Sequence, residues 1–120
     1  MALYETLPVY KDVYALILLI YNVTKHFPRE YKYTIGQDMK RDAMQLVRSI
    51  YRANKYREKT EHLHHFQDDF ELLKLEIRLC HNLQIISTKR YSELIVLTES
   101  IGKQVTGWRQ YAEKQESQNS

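Results

Sequence analysis

Cysteine, glycine and proline are scarce in this 120-residue chain, which contains one cysteine, three glycines and two prolines. All-β folds need many turns, which glycine and proline usually supply, so their scarcity argues against an all-β protein and favours helices. The single cysteine, Cys80, cannot form an internal disulfide, and no N-terminal signal pattern is present. The sequence therefore predicts a protein of a reducing, cytoplasmic compartment.

Long apolar runs are also missing. The longest, VYALILLIYNV at residues 13–23, is shorter than the roughly 20 residues that a membrane span needs. We expect no membrane association, and we interpret this run as a buried core helix.

Catalytic motifs are absent as well. The chain has no glycine-rich phosphate loop and no G-x-S-x-G, H-E-x-x-H or C-x-x-C pattern. Glu61 and His64 form the E-x-x-H pair of di-iron carboxylate bundles, but the second pair and the further glutamates that such a site requires are missing. Cys80 falls on an apolar stripe, which is typical of a core residue. We therefore predict neither an enzyme, nor a metal site, nor a cofactor.

Apolar residues recur at steps of three and four in four segments, each of which predicts a helix. These helices cover about residues 8–26, 34–54, 61–86 and 88–113, whereas residues 114–120 have no apolar anchor and are predicted to be disordered. Short connectors between helices of this length imply antiparallel neighbours. We predict one all-α domain over residues 1–113, folded as an antiparallel, up-down-up-down four-helix bundle.

Polar residues and one glycine mark the predicted helix starts. Thr34, Thr60 and either Ser87 or Thr88 are candidate N-caps of the second, third and fourth helices. Gly36 lies in an early turn of the second helix, where glycine lowers stability, so we expect a neighbouring helix or a ligand to approach closely there.

The third predicted helix has two apolar stripes on nearly opposite sides. One stripe suits the bundle core, and the other contains a set that we call the leucine row: Leu72, Leu75, Leu79 and Leu83. A bundle normally buries one stripe per helix, so the leucine row, which Ile86 continues, predicts a subunit interface and a homo-oligomer. The alternative is a helix that is central to its own bundle.

Positive charge is concentrated in one region, because residues 25–59 contain ten Lys or Arg against four acids, a net of +6 in a chain of net +3. Four of these cations lie within about 60° on the outer face of the second predicted helix, opposite its apolar stripe. We call this set the basic ridge: Arg41, Arg48, Arg52 and Lys55. Solvent-exposed faces usually mix charges, and no acid is interleaved within the ridge on the helical wheel, so it predicts an anion-binding surface rather than an ordinary solvated face.

Two further pairs of cations extend the predicted binding set. Lys74 and Arg78 lie one turn apart between the two stripes of the third helix, whereas Lys89 and Arg90 begin the fourth helix, where positive charge opposes the helix dipole. In an oligomer these groups would be repeated around the symmetry axis and would form a larger positive surface.

Four stretches in this order support a resemblance over about residues 7–111: FPREYKYTIGQ, RANK, LLKLEIRLC and YSELIVLTESIGKQVTGW. The chain resembles a family of four-helix-bundle proteins that contains the accessory variability determinant (Avd) proteins of diversity-generating retroelements. The same family contains proteins encoded in intervening sequences of bacterial 23S rRNA genes.

The resemblance implies a barrel-like pentamer whose positive surface engages a reverse transcriptase and its RNA or DNA template. Avd proteins are non-enzymatic accessories of mutagenic retrohoming, in which a template repeat is copied into a variable gene with adenine-specific errors. The resemblance implies nucleic-acid or polymerase contacts above all at five residues, which are matched by the helix that carries them and by their positive charge: Arg41, Arg48, Arg52, Lys74 and Arg78. An rRNA intervening-sequence protein, or a protein-interaction bundle without nucleic-acid affinity, remains as an alternative.

Overall fold

A computed structural model of the protein describes residues 3–119, and helices are the only regular secondary structure in that range. A 3-10 turn, Tyr4–Thr6, precedes α1 (Pro8–Thr24), α2 (Arg29–Lys32), α3 (Ile35–Lys55), α4 (Thr60–Asn82) and α5 (Thr88–Gln118). The all-α class expected from the sequence is therefore confirmed. None of the helices within residues 3–119 is both long and apolar enough to span a lipid bilayer.

Each of the four long helices packs against two others. The contacting pairs are α1 with α3, α3 with α4, α4 with α5, and α5 with α1, so α1 and α4 lie diagonally across the assembly. Helices that follow one another in the chain are thus neighbours in space, which is the packing order of an up-down-up-down four-helix bundle.

The core is formed by apolar residues that recur every three or four positions on each long helix. The largest fully buried side chains include Leu16 and Ile20 of α1, Leu46 and Ile50 of α3, Phe66 and Leu73 of α4, and Leu94 and Ile101 of α5. Each buried side chain of this size stabilises the fold by about 1.5–3 kcal/mol relative to exposure. The heptad-like patterning therefore sets which face of each helix points inward.

The connector between the first two long helices contains a short helix of its own. Pro8 opens α1 at a position that suits proline. The helix ends at Thr24, two residues before the predicted end, and Pro28 then leads into α2. Thr34 holds the N-cap position of α3, but its hydroxyl donates backwards to the Glu30 carbonyl at 2.7 Å and does not cap the helix as predicted.

The end of α4 differs from the prediction by four residues. We expected a helix to residue 86, but α4 ends at Asn82, and Gln84 has a positive φ of 63°. The Ile85 and Gln84 N–H groups donate to the Cys80 and His81 carbonyls at 3.1 and 3.0 Å. These two bonds form a Schellman termination, in which glutamine takes the left-handed position that glycine usually occupies.

The last helix is longer than predicted. α5 continues to Gln118, through residues that we expected to be disordered, and Ser87 supplies its N-cap by accepting from the Arg90 N–H at 3.1 Å. The carboxylate of Glu116, in the added turn, accepts from the Lys59 and Thr60 N–H groups at 3.0 and 3.2 Å. Those N–H groups belong to the start of α4, so α5 provides the cap that we had assigned to Thr60.

Candidate nucleic-acid interface

The basic ridge lies along the exposed side of α3. All four of its residues are exposed, and the opposite side of α3 is buried through Met39, Ala43, Leu46 and Ile50. Because a 21-residue helix presents side chains three and four positions apart on one face, the ridge residues are neighbours along one line.

The ridge is less uniform than its spacing suggests. Arg41 lies 3.3 Å from the Asp38 carboxylate and 3.4 Å from that of Asp42, so two acids partly neutralise it. No ion pair within residues 3–119 involves Arg48 or Arg52. The expectation that no acid interrupts the ridge is therefore wrong at Arg41 and holds for its C-terminal half.

Lys55 ends the ridge among aromatic rings. Its Nζ lies 5.5 Å from the ring centroid of Tyr51 and 5.4 Å from that of Tyr56, distances at which a cation and a ring attract each other. Both tyrosines are exposed, so the end of α3 combines positive charge with accessible aromatic surface.

The other four predicted binding residues lie on a different surface. Lys74 and Arg78 line a groove of about 510 Å³ between α4 and α5, and Lys89 and Arg90 stand at the start of α5. Glu71 holds the Lys74 ammonium at 2.7 Å, and Glu93 holds Arg90 at 3.1 Å. The structure thus separates the eight predicted residues into two groups and pairs three of them with acids.

The leucine row is solvent-exposed within the single chain. Leu72, Leu75, Leu79 and Leu83 retain 47%, 49%, 44% and 40% of their accessible surface. Ile86, which we placed on the same stripe, is buried and lies beyond the end of α4. The row therefore contains four residues, and the alternative of a helix central to its own bundle is excluded, because α4 is covered on one side only.

Two buried carboxyl groups meet between α3 and α4. Asp42 and Glu76 are only 4% and 9% exposed, and a hydrogen bond joins their side chains. Burial, that hydrogen bond and the Asp42 charge raise the pKa of Glu76 to about 8. The pair therefore holds a proton at neutral pH, a feature that apolar spacing does not indicate because the two residues are 34 positions apart.

The surroundings of His64 and Cys80 bear on whether these residues could bind a metal ion or act as a nucleophile. His64 Nε2 lies 3.3 Å from Glu113, and within residues 3–119 no cluster of three or more His, Cys, Asp or Glu is placed to hold a metal ion. Burial raises the pKa of the Cys80 thiol to about 12, which makes this side chain unreactive as a nucleophile.

Three lysines outside the predicted set come together where α1, α2 and α3 meet. Lys25, Lys32 and Lys40 line one cleft with Tyr21. The three lysines belong to the positively charged region of residues 25–59. Their convergence in space depends on the path of the connector between α1 and α3, which apolar periodicity does not specify.

A family model described as bAvd-like matches residues 8–112, which include α1, α3, α4 and α5 as far as residue 112, and with them every residue of the basic ridge and the leucine row. No curated protein matches the chain. The chain belongs to the bAvd-like family.

Proposed function

We propose that this protein is a non-enzymatic accessory of a diversity-generating retroelement. In this proposal it binds the reverse transcriptase and the RNA or DNA template through the basic ridge and supports mutagenic retrohoming. The observation that carries the proposal is the pair Arg48 and Arg52, two exposed guanidinium groups one turn apart that have no acidic partner within residues 3–119. Membership of the bAvd-like family supplies the biological setting.

The chemistry of the ridge suits a polyanion. Guanidinium groups form charge-assisted hydrogen bonds to phosphate oxygens, and such contacts bind strongly while they read little sequence. Tyr51 and Tyr56 add exposed rings beside Lys55, on which unpaired bases can stack. These features favour a single-stranded or irregular nucleic acid over a duplex.

We also propose that the protein works as a barrel-like pentamer. A second copy of the chain is the occupant that we assign to the leucine row, because apolar side chains are also exposed on other helices, including Tyr14 of α1 and Met44 of α3. Two different apolar sets on one chain suit head-to-tail contacts, and such contacts form a ring when the rotation between copies closes. Each copy would add one basic ridge to the assembly.

The test of nucleic-acid binding is a charge reversal. The variant Arg48→Glu/Arg52→Glu should lose most of its affinity for single-stranded RNA in fluorescence anisotropy, and the wild-type affinity should fall steeply as salt increases. The matched control is Lys103→Glu/Lys114→Glu, which makes the same charge change at exposed positions of α5. Equal loss in both variants would show an effect of net charge, and unchanged binding in the ridge variant would place the site elsewhere.

Gene context separates the proposal from its alternatives. A neighbouring reverse-transcriptase gene with template and variable repeats supports the retroelement role, and co-purification of that polymerase with the wild type but not the ridge variant would support direct binding. A location inside a 23S rRNA gene would favour an intervening-sequence protein. Absence of nucleic-acid binding at low salt would favour a protein-interaction bundle.

A further inference from the structure

A positively charged cleft lies at the corner where α1, α2 and α3 meet. It has a volume of about 420 Å³ and is lined by Leu18, Tyr21, Asn22, Thr24, Lys25, Lys32 and Lys40. The lining residues thus include three lysines and no acid. We call this site the lysine cleft.

The three lysines are positioned by three different helices. Lys25 is the C-cap residue of α1, Lys32 ends α2, and Lys40 lies in the second turn of α3. Gly36 lets α2 approach α3 closely, because a Cβ at this position would lie only 3.1 Å from the Tyr31 carbonyl oxygen. Close packing of the corner therefore fixes the backbone that supports the lysines.

The lysines are free of acidic partners. No ion pair in the described part of the chain, residues 3–119, involves any of the three. The two acids nearest to Lys40 along α3, Asp38 and Asp42, lie 3.3 and 3.4 Å from the Arg41 guanidinium. Lys40 instead places its Nζ 5.3 Å from the ring centroid of Tyr21, which leaves its N–H groups available to a ligand.

Helix electrostatics explains only one of these positions. Lys25 at the C-terminal end of α1 complements the negative end of the helix dipole. Lys40 gains nothing comparable near the N-terminal end of α3, and Lys32 belongs to a helix of four residues. Three cations that converge without counter-charges repel one another, and an anionic ligand would relieve that repulsion.

We propose that the lysine cleft binds the sugar–phosphate backbone of a single-stranded nucleic acid. Lys25, Lys32 and Lys40 contact phosphates, and the ring of Tyr21, which is 47% exposed, offers a surface on which a base stacks. The inference rests on the proposed nucleic-acid binding and adds a second contact that is distinct from the basic ridge. A strand that touches both sites would run from the α1–α2 corner along α3.

The first test removes the charge of the cleft. The variant Lys25→Gln/Lys32→Gln/Lys40→Gln is compared with Lys11→Gln/Lys103→Gln/Lys114→Gln, which loses the same charge at exposed positions outside the cleft. Binding of a labelled single-stranded RNA is measured by anisotropy over a series of salt concentrations. Each neutralised phosphate contributes about 0.7 to the slope of log affinity against log salt, so the cleft variant should reduce the slope by about 2.

The control variant should keep the wild-type slope. Equal slopes in the two variants, or a wild-type slope in the cleft variant, would overturn the inference. Circular dichroism and thermal unfolding confirm that both variants are folded before binding is measured.

The second test needs no variant of the cleft. Amide chemical shifts of the wild-type protein are followed by NMR as the same RNA is added, and we expect changes at Asn22, Lys25 and Lys32 in addition to the ridge. Chemical-shift changes confined to the basic ridge would overturn the proposed RNA binding at the lysine cleft and leave the proposed function intact. Absence of any change at low salt would overturn both.

Discussion

The buried pair formed by Asp42 and Glu76 is an ionisable feature of the α3–α4 contact that the proposed binding function does not use. Two carboxyl groups can share a hydrogen bond only when one of them carries a proton. Asp42 Oδ2 and Glu76 Oε1 are buried without a hydrogen-bond partner within residues 3–119. Asp38 adds negative charge from the same helix, and Arg41 offsets part of it. Burial and the nearby charge of Asp42 also raise the pKa of Asp69. A proton held by this pair therefore stabilises the α3–α4 contact.

This pair predicts a stability that depends on pH. The pKa of Glu76 rises from its usual 4.5 to about 8 in the folded protein, so between these values the unfolded chain has released the proton that the folded chain retains. The free energy of unfolding should therefore fall as pH rises from about 5 to 8, by at most about 1.4 kcal/mol per pH unit from this group. Urea unfolding at several pH values measures the change.

The variant Glu76→Gln isolates the contribution of the pair. Glutamine keeps the size of the side chain and can donate a hydrogen bond to Asp42 without titrating, so the variant should lose the decline between pH 5 and 8 and be more stable than the wild type at pH 8. Glu99→Gln, at an exposed position of α5, should keep the wild-type profile. A wild-type profile in Glu76→Gln would contradict a shared proton.

Substitution by alanine should have opposite effects on stability at two glycines of the long helices. Gly107 of α5 is exposed and has no atom within 4 Å of a built Cβ, so Gly107→Ala should stabilise the fold by about 0.5–1 kcal/mol through reduced freedom of the unfolded chain. A Cβ at Gly36 would meet the Tyr31 carbonyl oxygen at 3.1 Å, and overpacking costs about 1–3 kcal/mol, which exceeds the helix gain. Gly36→Ala should therefore be destabilising.

Chemical denaturation of both alanine variants compares the two effects directly. A stabilised Gly36→Ala would mean that α2 moves away at little cost and would weaken the view that this corner is tightly packed. The result also bears on the lysine cleft, because α2 carries Lys32. Loss of RNA contacts at the cleft in a folded Gly36→Ala variant would follow from displacement of α2.

At the joint between α3 and α4, Lys59 forms hydrogen bonds to the end of α3 and to a side chain of α5. The Lys59 ammonium donates to the Ala53 and Tyr56 carbonyls of the α3 end at 2.6 and 2.8 Å, while its own backbone N–H donates to Glu116 of α5. Burial raises the pKa of Glu116, but the hydrogen bonds from Lys59 and Thr60 outweigh it, so this pKa lies below its usual value. Three helices are thus fastened at one end of the bundle.

We predict that Glu116→Ala destabilises the protein by about 1 kcal/mol, the usual cost of losing an N-cap. The lowered pKa of Glu116 implies a stabilising contribution that is present above about pH 5 and lost as the carboxylate is protonated in acid. Thermal unfolding at pH 7 and pH 3 should therefore show a larger difference between wild type and variant at pH 7. Gln115→Ala, an exposed neighbour in the same turn, serves as the control.

Equal destabilisation by Glu116→Ala and Gln115→Ala would indicate that the Glu116 carboxylate makes no specific contribution to stability. An equal difference at both pH values would contradict a role for the carboxylate charge.

Helix identity followed from apolar spacing, whereas helix ends depended on contacts that spacing does not contain. The residues that alternate on the core faces, such as Leu46 and Ile50, predicted α3 almost to its bounds. The end of α4 was missed because Gln84 adopts a conformation that glycine usually marks. The length of α5 was missed because Glu116 is polar and is held by the start of another helix.

The sequence predicted the candidate site only in part, because spacing relates residues within one helix and not residues of different elements. Residues on one helix face, such as Arg48 and Arg52, could be grouped from sequence because helix geometry sets their relation. The pairing of Arg41 with Asp38, three residues away, was missed because side-chain direction decides it. The lysine cleft combines three elements across a connector, and no periodic pattern spans such a joint.

Considered as a whole, the molecule exposes its positive charge and its apolar side chains on different helices. The basic ridge lies on α3, the leucine row lies on α4, and α1 and α3 expose further apolar side chains. In a ring built by the proposed head-to-tail contacts, apolar faces would be covered by neighbouring copies and the ridges would be repeated around the axis. The modest net charge of +3 per chain would then become a large positive surface.

The assembly is testable through the leucine row. Leu75→Lys/Leu79→Lys places two charges in the middle of the row, and burying them against a neighbour would be costly, so the variant should remain monomeric. Light scattering coupled to gel filtration should give about five times 14.5 kDa for the wild type and 14.5 kDa for the variant. Both leucines are exposed in the single chain, so the helical content should not change. Tyr111→Lys, a substitution of an exposed residue on α5, should keep the wild-type mass, whereas a monomeric wild type at micromolar concentration would exclude the pentamer.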